Sequence, residues 1–309
     1  MNKPLVAVVV GPTASGKTSL GIEIAEHFGG EIVSADSMQI YENMDIATAK
    51  PTESELARVK HHLIGFVPAG ESFSVAKYKE KAIEAIDNIL SRGKLPVVVG
   101  GTGLYIDTLI KNTEFLDYEE SDIRINLEKR CDKEGIESLY NELMKVDPVT
   151  AQRLHINDIK RIIRALEVYY STGMTISKQD ELSRLNESKY RFCIIGLNAA
   201  DRQYLYDRIN LRVDMMLEEG LIAEADSFFK SDISKTAAQA IGYKELKPYF
   251  DSLVTLDDAV EKLKMETRRY AKRQLTWFRR NKDIHWLNID EYEKNELITK
   301  ACEIIENER

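Results

Sequence analysis

Val6 to Val10 is an unbroken, largely β-branched apolar run, the pattern of a strand buried on both faces. Thr18 to Phe28 then reads as a helix closed by Gly29-Gly30. Glu31 to Ser34 predicts a second short strand that stops at Ala35-Asp36-Ser37. Ser74 is placed to cap a helix whose apolar positions, Val75, Tyr78, Ala82, Ile86 and Ile89, recur with helical period until Gly93 ends it. Leu95 to Val99 is another fully apolar strand, terminating in Gly100-Gly101-Thr102-Gly103. Strands alternating with helices predict an open parallel α/β sheet, whose ligands lie beyond the carboxyl ends of the strands.

From about residue 115 to 189 the strand pattern vanishes and the text becomes charged and helical, with no glycine or proline cluster that would mark a flexible linker. Arg191 to Leu197 reads as a returning strand. The expected organisation is a core formed by 1–115 and 191–309, interrupted by a helical domain at 116–190. The C-terminal third reads as mainly helical, and Thr255-Leu256-Asp257-Asp258 resembles a capping box ahead of Val260, Leu263, Thr267 and Ala271. Between Met265 and Lys282, seven cations (Arg268, Arg269, Lys272, Arg273, Arg279, Arg280, Lys282) face Glu266 alone, interleaved with Tyr270, Trp277 and Phe278.

Composition adds bounds. A chain of 309 residues that is 43% hydrophobic can bury one large core or two modest ones. Its apolar opening run is too short to span a membrane, which predicts a soluble, untargeted protein without a membrane partner, and its cysteine usage predicts a reducing cytoplasm. Three scattered cysteines, Cys131, Cys193 and Cys302, fit neither a disulfide framework nor a zinc cluster. The adjacent His61 and His62 would point to opposite faces of an extended segment and so chelate poorly. A formal charge of −8 argues against indiscriminate attraction to nucleic acid, but it averages over faces and is compatible with a local basic surface.

The candidate chemistry starts at Gly11-Pro12-Thr13-Ala14-Ser15-Gly16-Lys17-Thr18, a phosphate-binding P-loop between a predicted strand and a predicted helix. Glycines let backbone wrap around phosphate oxygens, the helix N-terminus aims amides at them, Lys17 adds charge, and the Thr18 hydroxyl can ligate Mg²⁺. The fold class is therefore α/β, with a parallel sheet core like that of P-loop NTPases, an inserted, mainly helical domain and a helical C-terminal region. Whether the phosphate is transferred, hydrolysed or expelled is not disclosed by the loop. An NTPase usually places an aspartate at the end of the next apolar strand, where Gly-Gly-Thr stands instead. Asn281-Lys282-Asp283 lacks the spacer of a guanine-binding motif.

Asp36 closes the second strand on the same edge as the P-loop. It is the candidate general base, the alternative being a turn cap on the Ser37 or Met38 amides. Thr102, between glycines that permit close approach, can donate to a leaving-group oxygen, the alternative being a solvated turn residue.

GPTASGKT, SADSMQIY, LPVVVGGTGLY, NDIKRIIRALEVYYSTG and DRINLRVDMMLEEGL together resemble, essentially end to end, the tRNA dimethylallyltransferases, which prenylate adenosine 37. The resemblance implies transfer of the dimethylallyl group from its diphosphate to the exocyclic N6 of an anticodon-loop adenine, with Mg²⁺ assisting departure of the diphosphate. It assigns Asp36-Ser37-Met38-Gln39 to the target base, where the Gln39 amide suits an adenine edge because it can donate and accept together. It assigns tRNA contact to Arg124 and to the segment Lys160-Arg161-Ile162-Ile163-Arg164, whose cations lie opposite Ile159, Ile162, Ile163 and Leu166. Arg208 and Arg212, four apart on one helical face, can close over the diphosphate or pair with neighbouring acids. The C-terminus lacks the cysteine and histidine spacing of the zinc finger in eukaryotic relatives, so a bacterial type is expected, acting as a monomer with no obligate protein partner. Competing readings are a P-loop kinase of a nucleoside or small metabolite, a noncatalytic nucleotide-binding module that grips RNA, and a prenyltransferase acting on free adenine nucleotide.

Overall fold

The computed structural model describes residues 3–113, 122–185 and 187–309. It divides into two compact units, one of residues 1–109 and 189–309, the other of residues 110–188. The boundary expected at 115/116 falls outside the described residues.

The first unit is built on six parallel strands. Its first part runs β1 (Leu5–Val10), α1 (Lys17–Phe28), β2 (Glu31–Ser34), α2 (Glu53–Arg58), β3 (His61–His62), α3 (Val75–Ser91), β4 (Pro96–Gly100) and α4 (Gly103–Ile110). The second unit is helical: α5 (Ile123–Glu134), α6 (Ile136–Val146), α7 (Pro148–Arg153), α8 (Ile159–Thr172) and α9 (Ile176–Leu185). The chain then completes the first unit with β5 (Arg191–Asn198), α10 (Arg202–Glu218), α11 (Leu221–Lys230), α12 (Tyr243–Phe250), α13 (Leu256–Phe278), β6 (Ile284–Asn288) and α14 (Lys294–Asn307).

The strand order is β3-β2-β4-β1-β5-β6. Val8 pairs with Val98 on one side and Ile194 on the other, so β1 is central and buried on both faces, as its unbroken apolar run requires. The loop after β1 therefore opens at the middle of the sheet's carboxyl edge, where ligands of such sheets collect. Ser74 caps α3 by accepting from the Lys77 amide, Gly29 ends α1 with a left-handed φ of 63°, and Thr255 with Asp258 forms the reciprocal cap of α13.

Two strands differ from the sequence reading. β3 is only two residues long, and β6 is an edge strand in a segment read as helical. Its residues alternate poorly, with His285 exposed and Trp286 half-buried, because one side of an edge strand has no neighbour to bury it. His61 and His62 diverge as strand alternation dictates: His61 lines a cavity, whereas His62 meets the buried Glu31 carboxylate at 2.8 Å.

In the helical unit, Leu127, Leu139, Leu143, Ala151, Ile162, Ile163 and Leu166 form the core. Ile162 and Ile163, expected in the segment that contacts tRNA, therefore cannot offer their side chains to it. At 0% and 3% exposure their side chains are core residues, while Lys160, Arg161 and Arg164 stand on the exposed face of the same helix. Arg124 and Arg164 both approach Glu167, at 3.6 and 3.0 Å, and Arg161 lies 3.5 Å from Asp158.

Candidate active site

A cavity of about 380 Å³ lies at the carboxyl edge of the sheet, lined among others by Lys17, Asp36, Gln39, Arg212, Tyr270 and Gln274. A wider cleft of about 1080 Å³ shares Lys17, Thr18 and Arg212 with it and adds Arg208. The phosphate loop is thus reached from two openings within the first unit.

The loop's shape follows from its backbone. Gly16 opens α1 in the left-handed region at φ 87°, a conformation L side chains seldom adopt, and Ala14 shares that region at φ 62°. Pro12 has no N–H to offer a phosphate. Its carbonyl is the loop's internal acceptor, taking the Ser15 hydroxyl at 2.8 Å and the Lys17 ammonium at 2.7 Å. This narrows the expectation for Pro12 and Ser15, which shape the loop, whereas the start of α1 presents amides and charge. Gly11, Thr13, Ala14 and Thr18 complete the turn, and Thr13, Ala14 and Thr18 line the cavity.

Three long-range contacts hold the loop. Arg208 Nε donates to the Ala14 carbonyl at 2.9 Å, and Arg212 Nη1 reaches the Thr13 hydroxyl at 3.2 Å. The structure brings both arginines to the phosphate loop. Gln274, buried on α13, accepts from the Thr13 amide through Oε1 and donates through Nε2 to the Gly101 carbonyl, both at 2.9 Å. A side chain at Gly101 would collide with that Nε2, so the glycine makes room for the bridge. Gln274 was not expected from the sequence, where its only signal is a position one turn beyond Tyr270 on a helix read for its basic face.

The electrostatics are those of an anion site. Burial and the nearby Arg212 push the Lys17 ammonium down to about 7, against a smaller opposing influence from Asp36. Burial also holds the Arg212 guanidinium below its usual value, with Asp36 acting in the opposite direction. Two cations held without full solvation favour an incoming polyanion.

Asp36 both caps and faces the cavity. Its Oδ1 accepts from the Met38 amide at 2.9 Å and from the Gln39 amide at 3.4 Å, so the turn-capping role is real, and Oδ2 takes no hydrogen bond among the described residues. Ser37 is tied instead to Thr102, whose Oγ1 accepts from the Ser37 amide at 2.9 Å and donates to the Ser37 hydroxyl at 3.2 Å. Thr102 therefore joins the end of β4 to the turn carrying Asp36, a different engagement from the solvated turn residue, and Tyr270 lies beside it.

Gln39 departs from expectation. Both Nε2 bonds go to carbonyls of its own loop, Thr48 at 3.2 Å and Ala49 at 2.9 Å, which also fixes which end of the amide is nitrogen. Only Oε1 is left to face a ligand, beside a long contact of 3.4 Å from the Ser34 hydroxyl. The Gln39 amide thus has only an acceptor left to offer.

For a divalent cation, the donor set is spare. No three His, Cys, Asp or Glu side chains among the described residues are grouped to hold a metal. The Thr18 hydroxyl and the Asp36 carboxylate line one cavity, a set that suits a hydrated ion carried largely by phosphate oxygens.

The chain was compared with known proteins. The family model described as IPP transferase matches residues 39–281. A tRNA dimethylallyltransferase from Acetivibrio thermocellus is 52% identical over 298 residues, covering 96% of this chain and 95% of the relative. The crystal structure of a full-length tRNA isopentenylpyrophosphate transferase from Bacillus halodurans aligns with a TM-score of 0.74 at 42% identity, over 99% of this chain and 96% of that one. A eukaryotic dimethylallyltransferase solved acting on tRNA aligns with a TM-score of 0.83 at 30% identity, over 98% of this chain and 80% of that one. With its phosphate loop, its Asp36 turn and its glycine-rich strand end gathered at one cavity, and with likeness running through nearly its whole length, this chain belongs to the IPP transferase family.

Proposed function

We infer that the protein transfers the dimethylallyl group from dimethylallyl diphosphate to the exocyclic N6 of adenosine 37 in the anticodon loop of tRNA, releasing diphosphate. The observation that carries this reading is the sharing of one cavity by Lys17 and Arg212, which suit a diphosphate, and Asp36, which suits an acceptor proton.

In the reaction the allylic C–O bond breaks and the C–N bond forms. The electron pair leaves with the diphosphate, and N6 sheds a proton. The amides at the start of α1, with Lys17 and Arg212, stabilise charge growing on the departing oxygen. Arg208 holds the loop from its other side. Asp36 Oδ2 accepts the N6 proton, which becomes acidic only as the C–N bond forms. Thr102 holds the turn that aims Asp36. Thr18 would help to hold a Mg²⁺ ion, which would supply further neutralisation of the diphosphate charge. The strand end at Gly100-Gly101, where a phosphoryl-transfer enzyme usually places a carboxylate, favours prenyl transfer over a kinase reaction.

Lys17, Asp36, Arg212 and Gln274 all come from a single unit of one chain, which supports action as a monomer. Among the described residues no helix is long and apolar enough to cross a membrane, and work in the cytoplasm suits a tRNA substrate. The helical unit contributes tRNA contacts through Arg124, Lys160, Arg161 and Arg164. Neutralising Arg161 and Arg164 together is expected to weaken tRNA binding and to reduce its salt dependence by up to about two charges' worth of slope, with diphosphate affinity unchanged. Filter binding across a salt series checks this, and an unaltered slope would remove that face from the interface.

The reaction itself is tested by supplying labelled dimethylallyl diphosphate with tRNA, with AMP or with neither, alongside ATP with nucleoside acceptors. Label entering tRNA alone is expected. Label in AMP, or phosphate transfer from ATP, would overturn the reading.

A further inference from the structure

The strap of residues 45–49 crosses the cavity, which Ala47, Thr48 and Ala49 line. Its second half closes a turn of its own, with the Ala49 amide donating to the Ile46 carbonyl and the Lys50 amide to the Asp45 carbonyl, both at 2.9 Å, and Ala49 left-handed at φ 49°. The amides of its first half, which that turn leaves unpaired, are anchored to α11 by one carboxylate. Glu224 Oε2 accepts from the amides of Asp45 and Ile46 at 2.8 and 2.7 Å, and Oε1 from the amide of Ala47 at 2.9 Å. The Tyr243 hydroxyl adds a fourth donor to Oε1 at 2.8 Å. A carboxylate has about four acceptor positions, so Glu224 is filled. Burial, with Glu224 beside it, pushes the Tyr243 hydroxyl well above the usual phenol range, which keeps it a donor. Beneath the strap, a side chain at Gly242 would come within 2.9 Å of the Ala47 Cβ, so the strap rests directly on that backbone.

The far side of the strap is what Gln39 holds. Thr48 and Ala49 present the carbonyls that occupy both hydrogens of the Gln39 amide. Glu224 therefore fixes a backbone, and that backbone fixes the direction of a side chain in the cavity. The consequence is chemical. An amide whose hydrogens are both engaged shows its oxygen only. It accepts from an exocyclic amine and repels an exocyclic carbonyl, the difference between the six-positions of adenine and of an oxo-purine.

We propose that Glu224 is a positioning residue which, by pinning the 45–49 strap, locks the Gln39 carboxamide as an acceptor and so selects an amino-purine over an oxo-purine at the target position. The proposal rests on the reading that the acceptor is a tRNA adenine entering this cavity. Releasing the strap lets the amide turn over and offer its N–H₂ to an oxo group.

The test uses Glu224→Gln and Glu224→Asp in the full chain, with anticodon stem-loop RNAs carrying adenosine or inosine at the target position. Wild type is expected to bind the adenosine RNA roughly tenfold more tightly than the inosine RNA, the size of one well-made hydrogen bond. In Glu224→Gln that ratio narrows toward one. Its kcat/KM for tRNA falls on the order of a hundredfold, the scale of a small misplacement of a reacting group, while the KM for dimethylallyl diphosphate stays put. Hydrogen exchange at the amides of residues 45–47 quickens. Glu224→Asp, which keeps the charge but loses reach, lies between the two and carries the test should the first variant fold poorly. Faster exchange at 45–47 with an unchanged adenosine-to-inosine ratio, in either variant, overturns the proposal. So does a wild-type ratio and wild-type exchange in Glu224→Gln. Wild-type protein that places no label in tRNA would instead sink the function on which the proposal rests.

Discussion

Asp36→Asn lowers kcat for transfer to tRNA by roughly 10²- to 10⁴-fold, the usual worth of a positioned general base, and leaves the KM for dimethylallyl diphosphate within about a factor of two. Asparagine is chosen because the structure gives the two carboxylate oxygens different tasks. Oδ1 caps the turn on Met38 and Gln39, a role that an amide oxygen keeps. Oδ2 is the proton acceptor in the proposed reaction, a role that an amide nitrogen would lose. Asp36→Ala removes both and is expected to fall further, because the turn carrying Ser37 would then lose its side-chain cap and keep its bonds to Thr102. Rapid-quench single-turnover measurement separates chemistry from product release. An unchanged single-turnover rate in Asp36→Asn would take Asp36 out of the proton transfer.

Lys17→Met lowers kcat/KM for dimethylallyl diphosphate by about 10²- to 10³-fold, comparable to removing one donor from an oxyanion site. The pH behaviour makes the prediction more specific. In the free protein burial and Arg212 push Lys17 down to about 7. A bound diphosphate places negative charge beside the ammonium and raises that value. The folded, ligand-bound state therefore holds a proton that the free state releases as pH rises through about 7. Affinity is full below that pH and declines above it, by up to tenfold per unit until the bound-state value is passed. Calorimetry near pH 8 in buffers of different ionisation heat is expected to show net proton uptake on binding. Lys17→Met abolishes the uptake and flattens the profile, which separates Lys17 from the diphosphate's own titration. Uptake that persists in the variant would assign the proton elsewhere.

These two residues were legible in the chain because each depends on local pattern. The Gly-x4-Gly-Lys-Thr spacing between a strand and a helix marks a P-loop, and Lys17 follows from that spacing. Asp36 follows from the stop of an apolar run at the same sheet edge. The buried strands β1, β4 and β5 were legible for the same reason, since a strand covered on both faces must be apolar throughout. β6 was not, because half of its surroundings are solvent, and β3 is too short to carry a period.

The neighbours of those residues were another matter. Gln274 meets Thr13 across 261 positions of sequence, Arg208 meets Ala14 across 194, and Glu224 meets Ala47 across 177. No periodicity links residues at such distances. Gln39 shows the difference most sharply: composition allows its amide to donate and accept, and only the carbonyls of Thr48 and Ala49 remove the first option. In α8 the period separated Arg161 and Arg164 from Ile162 and Ile163, but the depth of the two isoleucines came from the helices packed around them.

What the sequence determined by itself was the phosphate loop and the buried strands that carry it, because backbone conformation and apolar period are set by residues close together in the chain. What the tertiary structure decided was how each group is held: which oxygen of Asp36 is occupied, which end of the Gln39 amide is engaged, and how burial lowers the Lys17 ammonium. Those depend on hydrogen bonds and burial supplied by distant segments, and such partners exist only once the chain has folded.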